Sequence, residues 1–173
     1  MSSIYLLSTL PMLRRDSAPG MTPDAFLSAC REQLSASDAQ AAEALLKGTE
    51  ADHPFVRLWR DRDAILRNAV ARARARAAGK DAAPWLRPTS GCDLRLVHLV
   101  EAALQEKDPL AKERALDTAR WITADELAGP DPLSINRIFT YAIQLMILVK
   151  WQDRKAERGR ETFQALTEVP ITL

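Results

Sequence analysis

Hydrophobic positions along this chain recur mainly at intervals of three and four residues, which is the spacing of one face of an α-helix. An alternation with a period of two, typical of a strand, can be read only over residues 4–7. The pattern predicts an all-α protein, a compact bundle of six or seven helices around one shared core. We expect a single domain over residues 1–173, with a loop near 79–92 that separates two helical halves.

Residues that cap helices indicate where the predicted helices of the first half begin and end. Thr22 followed by Pro23 is a typical start. Ser37 with Gln40 three residues later resembles a capping box, and Gly48 is suited to end that second helix.

The second half offers similar signals. Asp93 is a candidate N-cap of a helix to about residue 107, and Asp108 with Pro109 begins another, to about residue 127. A further helix is predicted from about 133 to 158, with a bend near Gly159 and a last helical segment over 160–169.

The segment WRDRDAILRNAVARARARA, residues 59–77, carries arginine at almost every third position. It belongs to a long predicted helix, roughly 54–78. On a helical projection the apolar side chains form one stripe around the line through Phe55. The stripe contains Leu58, Trp59, Leu66, Ala69, Val70, Ala73 and Ala77. Away from it or on its flank lie the residues predicted to bind a partner: Arg57, Arg60, Arg67, Arg72 and Arg74.

Arg62 differs from the other arginines because its direction places it within the apolar stripe. An unpaired charge there would cost several kcal/mol, so a carboxylate from another helix is expected to reach it. Asp117, Asp125 and Glu126 are the candidates, and Asp117 is the predicted partner in a structural ion pair. The alternative is that Arg62 extends its charged end past the stripe into solvent.

The charge distribution limits the classes of partner. The chain has 24 basic and 23 acidic residues, a net charge of +1, and therefore no general attraction to nucleic acid or to an anionic membrane. Seven arginines and only two aspartates lie between residues 57 and 76. This local excess could meet an acidic partner, or it could pair with acidic helices of the same chain.

Residues with catalytic or metal-binding chemistry are few. The histidines are His53 and His98, and the cysteines, Cys30 and Cys92, are isolated, so no metal-ligand spacing can be written. The Gly79-Lys80 pair lacks the remaining residues of a phosphate-binding loop. We therefore predict no enzyme activity, no catalytic residue, no metal and no cofactor.

A helical enzyme with a cryptic polar pocket is one alternative hypothesis. Convergence of Arg62, Asp117 and His98 on an open cavity would favour it, and a covered, paired Arg62 would disfavour it. Conversely, the hypothesis of a macromolecular partner would be contradicted by outward arginines gathered around a deep, substrate-sized cleft.

The apolar run IFTYAIQLMILV, residues 138–149, is 12 residues long. Spanning a bilayer takes about 20. The run is therefore predicted to be a buried core helix, and the protein is predicted to be cytoplasmic, without a direct membrane span.

Three stretches together resemble a known family. They are IYLLSTLPML at 4–13, FVRLWRDRDAILRNAVARARARAAGKD at 55–81, and DPLAKERALDTARWITADEL at 108–127 with KWQDRKAERGRETFQAL at 150–166. They are similar to a bacterial domain family of unknown function whose genes lie beside V-type ATPase genes. More distantly, they resemble the C (eukaryotic d) subunit of V- and A-type rotary ATPases, which is considerably longer than this chain.

The resemblance implies a non-catalytic role in ion transport. The C subunit sits on the membrane rotor ring, receives the central stalk and transmits torque without binding nucleotide. Protein partners, namely V-type ATPase subunits, are therefore expected, without a small-molecule substrate. The protein would then reach the inner face of the membrane through the complex. The residues that match the shared helix are Trp59, Arg60, Asp61, Leu66, Arg67 and Asn68.

The alternative function is a nucleic-acid-binding helical module that uses the basic face of helix 54–78. Two features are unfavourable to it. No aromatic residue other than Trp59 is interleaved with the arginines, and no recognised nucleic-acid-binding motif occurs.

Overall fold

The computed structural model describes residues 3–154, which form seven α-helices, one short 3₁₀ helix and no strand. The predicted all-α class is therefore confirmed, and the alternation read over residues 4–7 is wrong because this segment lies in the first helix. The elements are α1 (Ser3–Thr9), α2 (Pro23–Gln33), α3 (Ala36–Lys47), α4 (Pro54–Ala77), the 3₁₀ helix (Ala83–Trp85), α5 (Leu94–Leu104), α6 (Pro109–Ala128) and α7 (Asn136–Asp153).

Four of the predicted capping residues have the predicted role. The side chains of Thr22, Asp93 and Asp108 each accept a hydrogen bond from the backbone N–H three residues later. Gly48 ends α3 with a φ of 68°, a left-handed conformation that glycine adopts without steric cost. Local chemistry thus sets these helix ends as the sequence indicated.

The predicted start of α3 is wrong by two residues. Ser35, not Ser37, is the N-cap, and its Oγ accepts a hydrogen bond from the backbone N–H of Asp38 at 3.2 Å. Ser35 has the extended backbone that a capping residue requires, whereas Ser37 already lies in the first turn.

Two other boundaries in the second half also differ from the prediction. α5 ends at Leu104, because the next residues form the link to the cap of α6. α7 begins at Asn136, because a turn in which Asp131 accepts from the N–H of Leu133 precedes it. The predicted end of α7 near 158, the bend at Gly159 and the segment 160–169 lie outside the described residues.

Buried side chains form two hydrophobic clusters, whereas the sequence predicted one shared core. The larger cluster joins α1, α2, α3 and α7 to the beginning of α4 and the later part of α6, around Phe26, Leu45 and Phe139. The smaller cluster joins the middle of α4 to α5 and α6, around Leu66 and Val100. α4 and α6, with 24 and 20 residues, are long enough to contribute to both clusters.

This division explains why the predicted apolar stripe of α4 is only partly correct. Trp59, Leu66 and Ala69 are buried, but Leu58 is 53% exposed. Ala77 is exposed, and Val70 and Ala73 are half-buried. Outside the predicted stripe, Val56 and Ile65 are buried, since α4 contacts one cluster near its start and the other cluster, on a different side, further along.

Helices from the two halves of the sequence pack against one another. α7 packs against α3 and α6, and α4 packs against α5 and α6. The loop 79–93 therefore does not separate the halves in space but returns along α4. Within residues 3–154, none of the helices combines the length and the hydropathy that a membrane crossing requires.

Candidate functional site

A buried carboxylate, Asp117, joins α6 to α7. Its side chain is 4% exposed. One carboxylate oxygen accepts from Nη1 of Arg120 at 2.7 Å. The other oxygen accepts from Nζ of Lys150 at 2.7 Å and from the indole Nε1 of Trp151 at 3.0 Å. A buried charge requires this many donors, because without them the loss of hydration would exceed the gain from pairing.

Arg120 extends the same network to α4. Its Nε lies 3.2 Å from Oδ1 of Asp63, so one guanidinium group lies between two carboxylates. Burial opposes the charge on Arg120, but the attraction of Asp63 and Asp117 outweighs it, and the pKa of Arg120 is raised. Arg120 therefore remains charged and connects α4 to α6.

The ring of Trp151 is surrounded by cations at the end of the network. The guanidinium carbon of Arg114 lies 5.1 Å from the ring centroid, and Lys150 and Arg154 approach to 5.7 Å. Such contacts are favourable because the aromatic face carries partial negative charge. Glu113 pairs with both Lys150 and Arg154.

This network forms part of the wall of a cleft of about 820 Å³ that opens between α3, α4, α6, α7 and the loop 79–93. We call it the charged cleft. Its basic lining residues are Arg57, Arg60, Arg67, Arg87, Arg120 and Lys150. Its acidic lining residues are Asp61, Asp63, Glu113 and Asp117. Apolar side chains complete the wall, namely Ala44, Leu45, Val56, Trp59, Ala64, Met146 and Ile147.

Three of the five predicted partner-binding arginines line this cleft and are paired within the chain. Arg57 pairs with Asp52, Arg60 pairs with Glu50 at 2.5 Å, and Arg67 pairs with Asp63 at 2.5 Å. The acidic residues come from the α3–α4 loop and from α4 itself. Arg57, Arg60 and Arg67 therefore gather around a cleft of substrate size, which counts against these three as residues that bind a macromolecular partner, so that hypothesis rests on Arg72 and Arg74.

The remaining two predicted residues, Arg72 and Arg74, lie further along α4 and have no such partners. Together with Arg76 and Lys80 they are exposed, and none of these four side chains contacts an acidic group among residues 3–154. We call these four residues the arginine end. The two alternatives left open by the sequence, internal pairing and an available basic face, are thus realised on different parts of α4.

An exposed tryptophan follows the arginine end in the chain. Trp85, in the 3₁₀ helix, is 57% exposed. The loop that carries it is fixed to α4 two residues later, at Arg87, whose backbone N–H and C=O both bond to the side chain of Asn68 at 2.8 Å. Trp and Arg are the side chains most enriched among residues that dominate protein–protein binding energies.

The sequence predicted that Arg62 pairs with Asp117, but the structure does not contain this pair. Nη1 of Arg62 lies 3.6 Å from Oδ2 of Asp93, the residue that caps α5. The side chain of Arg62 is 35% exposed, and α5 packs directly on α4, so Asp93 is the carboxylate within reach. The other two candidates have different partners: Asp125 contacts Gln144 and Arg137, and Glu126 pairs with Arg95.

The convergence of Arg62, Asp117 and His98 that would favour a helical enzyme does not form. The side chain of His98 is 76% exposed and lies 3.5 Å from Glu101. Of these three residues, only Asp117 lines the charged cleft. Within the described part of the chain, no group of three or more His, Cys, Asp or Glu side chains is placed to hold a metal ion.

Several residues of the motif W-R-D-x-D-x-x-L-R-N-A, residues 59–69, have structural roles. Trp59 and Leu66 are buried. Asp61 accepts a hydrogen bond from the N–H of Ser90 at 2.7 Å, and Asn68, which is 3% exposed, holds Arg87. Asp63 reaches Arg120. These polar contacts fix the loop 79–93 and α6 on α4.

Sequence reasoning missed Asp63, Arg87, Lys150 and Trp151 as site residues, and it missed the contact of Arg120 with Asp63. Asp63 lies within the recognised motif, and its i, i+4 spacing to Arg67 was a usable signal. The spacing of Arg120 to Asp117, i and i+3, was also a local signal. Arg87, Lys150 and Trp151 reach the site only through the packing of α7 and the loop, for which the sequence contains no local signal.

Comparison with known families gives one match. A family model described as a protein of unknown function (DUF2764) matches residues 94–169. No curated protein and no solved structure matches the chain. The match begins at the first residue of α5 and includes Asp117, Arg120 and Lys150. It contains no residue of α4 and no residue of the arginine end. Over its second half, this chain is therefore similar to a family whose function is not known.

Proposed function

We propose that this chain is a non-catalytic helical subunit or accessory protein of a bacterial V-type ATPase. It would couple or assemble the central stalk with the membrane rotor through protein–protein contacts. The proposal takes its partner from the resemblance of the α4, α6 and α7 sequences to the family encoded beside V-type ATPase genes. Its location at the inner face of the membrane, through the complex, is part of the same proposal.

The observation that carries the proposed contact is the arginine end. Arg72, Arg74 and Arg76 extend into solvent without partners among residues 3–154. Arg57, Arg60 and Arg67 differ from these three, because carboxylates of the chain pair with them and because they line the charged cleft. Guanidinium groups without internal partners are suited to bidentate pairing with carboxylates of an acidic protein surface.

The helix that carries these arginines is firmly held, which suits a protein that transmits force. α4 contributes to both hydrophobic clusters, and Asp61, Asp63 and Asn68 bond it to the loop and to α6. A load applied at the arginine end would therefore be passed to the whole described bundle rather than bend a loose segment.

Affinity purification from the native host tests the proposal. Tagged protein, purified under conditions that preserve the ATPase, should recover V-type ATPase subunits, quantified by mass spectrometry. Recovery of the tagged protein without any ATPase subunit, from a sample in which the ATPase itself is intact, would contradict the proposal.

The unpaired arginines also favour a second candidate, a nucleic-acid-binding module. Contacts to phosphates release counterions, so this candidate predicts binding that weakens steeply as salt rises. A gel-shift titration at about 50 mM salt that shows no complex with duplex or single-stranded nucleic acid would exclude it.

A further inference from the structure

The charged cleft is a second functional feature, distinct from the arginine end. We propose that it binds a small organic anion, a molecule with an apolar body and a phosphate or carboxylate group. This inference does not depend on the proposed role in a V-type ATPase, because it uses none of the residues of the arginine end.

The first argument is size and shape. The cleft volume of about 820 Å³ falls within the range of about 300–1,000 Å³ that is typical of small-molecule sites. Its walls come from several separate elements, so the lining groups are held by the fold rather than by one mobile loop. Arg57 and Arg67 are ten residues apart on α4, so basic groups extend over about 15 Å of its length.

The second argument is a guanidinium group without a partner. Six basic side chains and four acidic ones line the cleft, and the hydroxyl-bearing residues Thr49 and Ser90 add further possible donors. Arg87 is exposed, and its side chain has no partner among residues 3–154. The carboxylates of Asp63 and Asp117 at the α6 wall are already paired with three basic side chains, namely Arg67, Lys150 and the shared Arg120. An anion would therefore meet the guanidinium group of Arg87, which no carboxylate among residues 3–154 occupies.

The third argument is that two further arginines could be released at low cost. The pairs Arg57–Asp52 and Arg60–Glu50 are largely exposed, and the acidic partners are 96% and 77% exposed. Exposed ion pairs of this kind contribute little to stability, so a ligand anion can replace their carboxylates. These pairs also show that the guanidinium groups of Arg57 and Arg60 are placed to pair with carboxylate oxygens.

The fourth argument is the apolar part of the wall. Half-buried Met146 lines the cleft beside the basic groups, together with the small accessible parts of the core residues Leu45, Val56, Trp59 and Ile147. A simple inorganic anion would leave this surface unused, whereas an anion with an aromatic or aliphatic body would contact both. Binding sites commonly combine an apolar lining with a few polar groups that fix orientation.

The test is a titration of the full chain with phenyl phosphate, followed by NMR of the tryptophan indole resonances. Phenyl phosphate should shift the Trp59 resonance in a saturable way. Inorganic phosphate lacks the apolar body and phenol lacks the phosphate group, so each should bind at least about tenfold more weakly than phenyl phosphate. If either binds as tightly as phenyl phosphate, or if the Trp59 resonance does not move, the proposal is wrong.

Variants locate the site. Arg87→Ala removes a side chain without partners, and together with Arg60→Ala it should weaken phenyl phosphate binding by about tenfold or more. The matched control, Arg72→Ala with Arg74→Ala, removes the same charge from α4 outside the cleft and should leave the affinity unchanged. Equal affinities of the two double variants would overturn the proposal. The single variant Arg87→Ala decides the outcome if the Arg60 change alters the fold.

Discussion

Asp117 of α6 and Lys150 of α7 form a hydrogen-bonded ion pair of 2.7 Å beside the indole of Trp151. The Asp117 side chain is 4% exposed, and the Lys150 side chain is 30% exposed. Because Asp117 also binds Arg120, which reaches Asp63 of α4, this one carboxylate connects three helices. It is the strongest candidate for a polar residue on which the described fold depends.

Replacing Asp117 by alanine should destabilise the fold strongly. Arg120, which is partly buried, would keep one carboxylate partner, Asp63, instead of two. Lys150 would keep only Glu113, whose side chain is 39% exposed. Removing one partner of a buried pair typically costs about 3–5 kcal/mol. Urea unfolding would measure the loss. Glu113→Ala, which removes a more exposed partner of the same Lys150, should cost about 1 kcal/mol or less, and equal losses in the two variants would contradict the account.

Asn68→Ala should release the loop 79–93 from α4. The substitution leaves the backbone N–H and C=O of Arg87 without the side chain that now bonds to both. Loss of a buried polar partner costs about 1–3 kcal/mol. Hydrogen exchange should show faster exchange at the Arg87 amide in the variant. Arg72→Ala, on the same helix but without contacts to the loop, should leave this exchange rate unchanged. Unaltered exchange in Asn68→Ala would show that the loop is held by other contacts.

Stability should fall at alkaline pH. Burial raises the pKa of Cys30 from 9.0 to about 12, and it raises the pKa of Tyr141 from 10.0 to about 12. The unfolded chain therefore loses these protons first, so the free energy of unfolding should decrease between about pH 9 and pH 12. Below pH 9 both groups are protonated in both states and contribute no slope.

The double variant Cys30→Ala with Tyr141→Phe tests the origin of that slope. Its unfolding free energy, measured by denaturant titration at several pH values, should depend less on pH above 9 than that of the unmodified chain. Parallel curves would show that other groups cause the alkaline loss. Tyr141→Phe alone should cost little at neutral pH, because the buried hydroxyl has no hydrogen-bond partner in the described structure.

The sequence predicted helix positions well because the signals are local. Thr22, Asp93 and Asp108 each bond to the backbone only three residues away, and Gly48 needs only its own left-handed conformation. Ser35 was missed because another serine two residues later had similar chemistry. Because these contacts involve only neighbouring residues, the sequence alone was sufficient to locate these helix ends.

The core and the site were harder to predict because they depend on how helices pack. A single helical projection assumes one buried side, but α4 contacts two clusters on different sides, so Leu58 became exposed and Ile65 buried. The partner of Arg62 was wrong for the same reason, since the position of Asp93 follows from the packing of α5. The exposure of Arg72 and Arg74 was predictable, but the charged cleft was not.

The central claim is that the arginine end binds a V-type ATPase. The most direct measurement compares the affinity of purified proteins for the detergent-solubilised ATPase of the host. Arg72→Glu with Arg74→Glu should weaken binding by about tenfold or more, because like charges replace complementary ones. The matched control, Arg14→Glu with Arg15→Glu, reverses the same charge at two exposed residues before α2 and should bind like the unmodified chain. No binding by the unmodified chain, or equal binding by the two double variants, would contradict the claim.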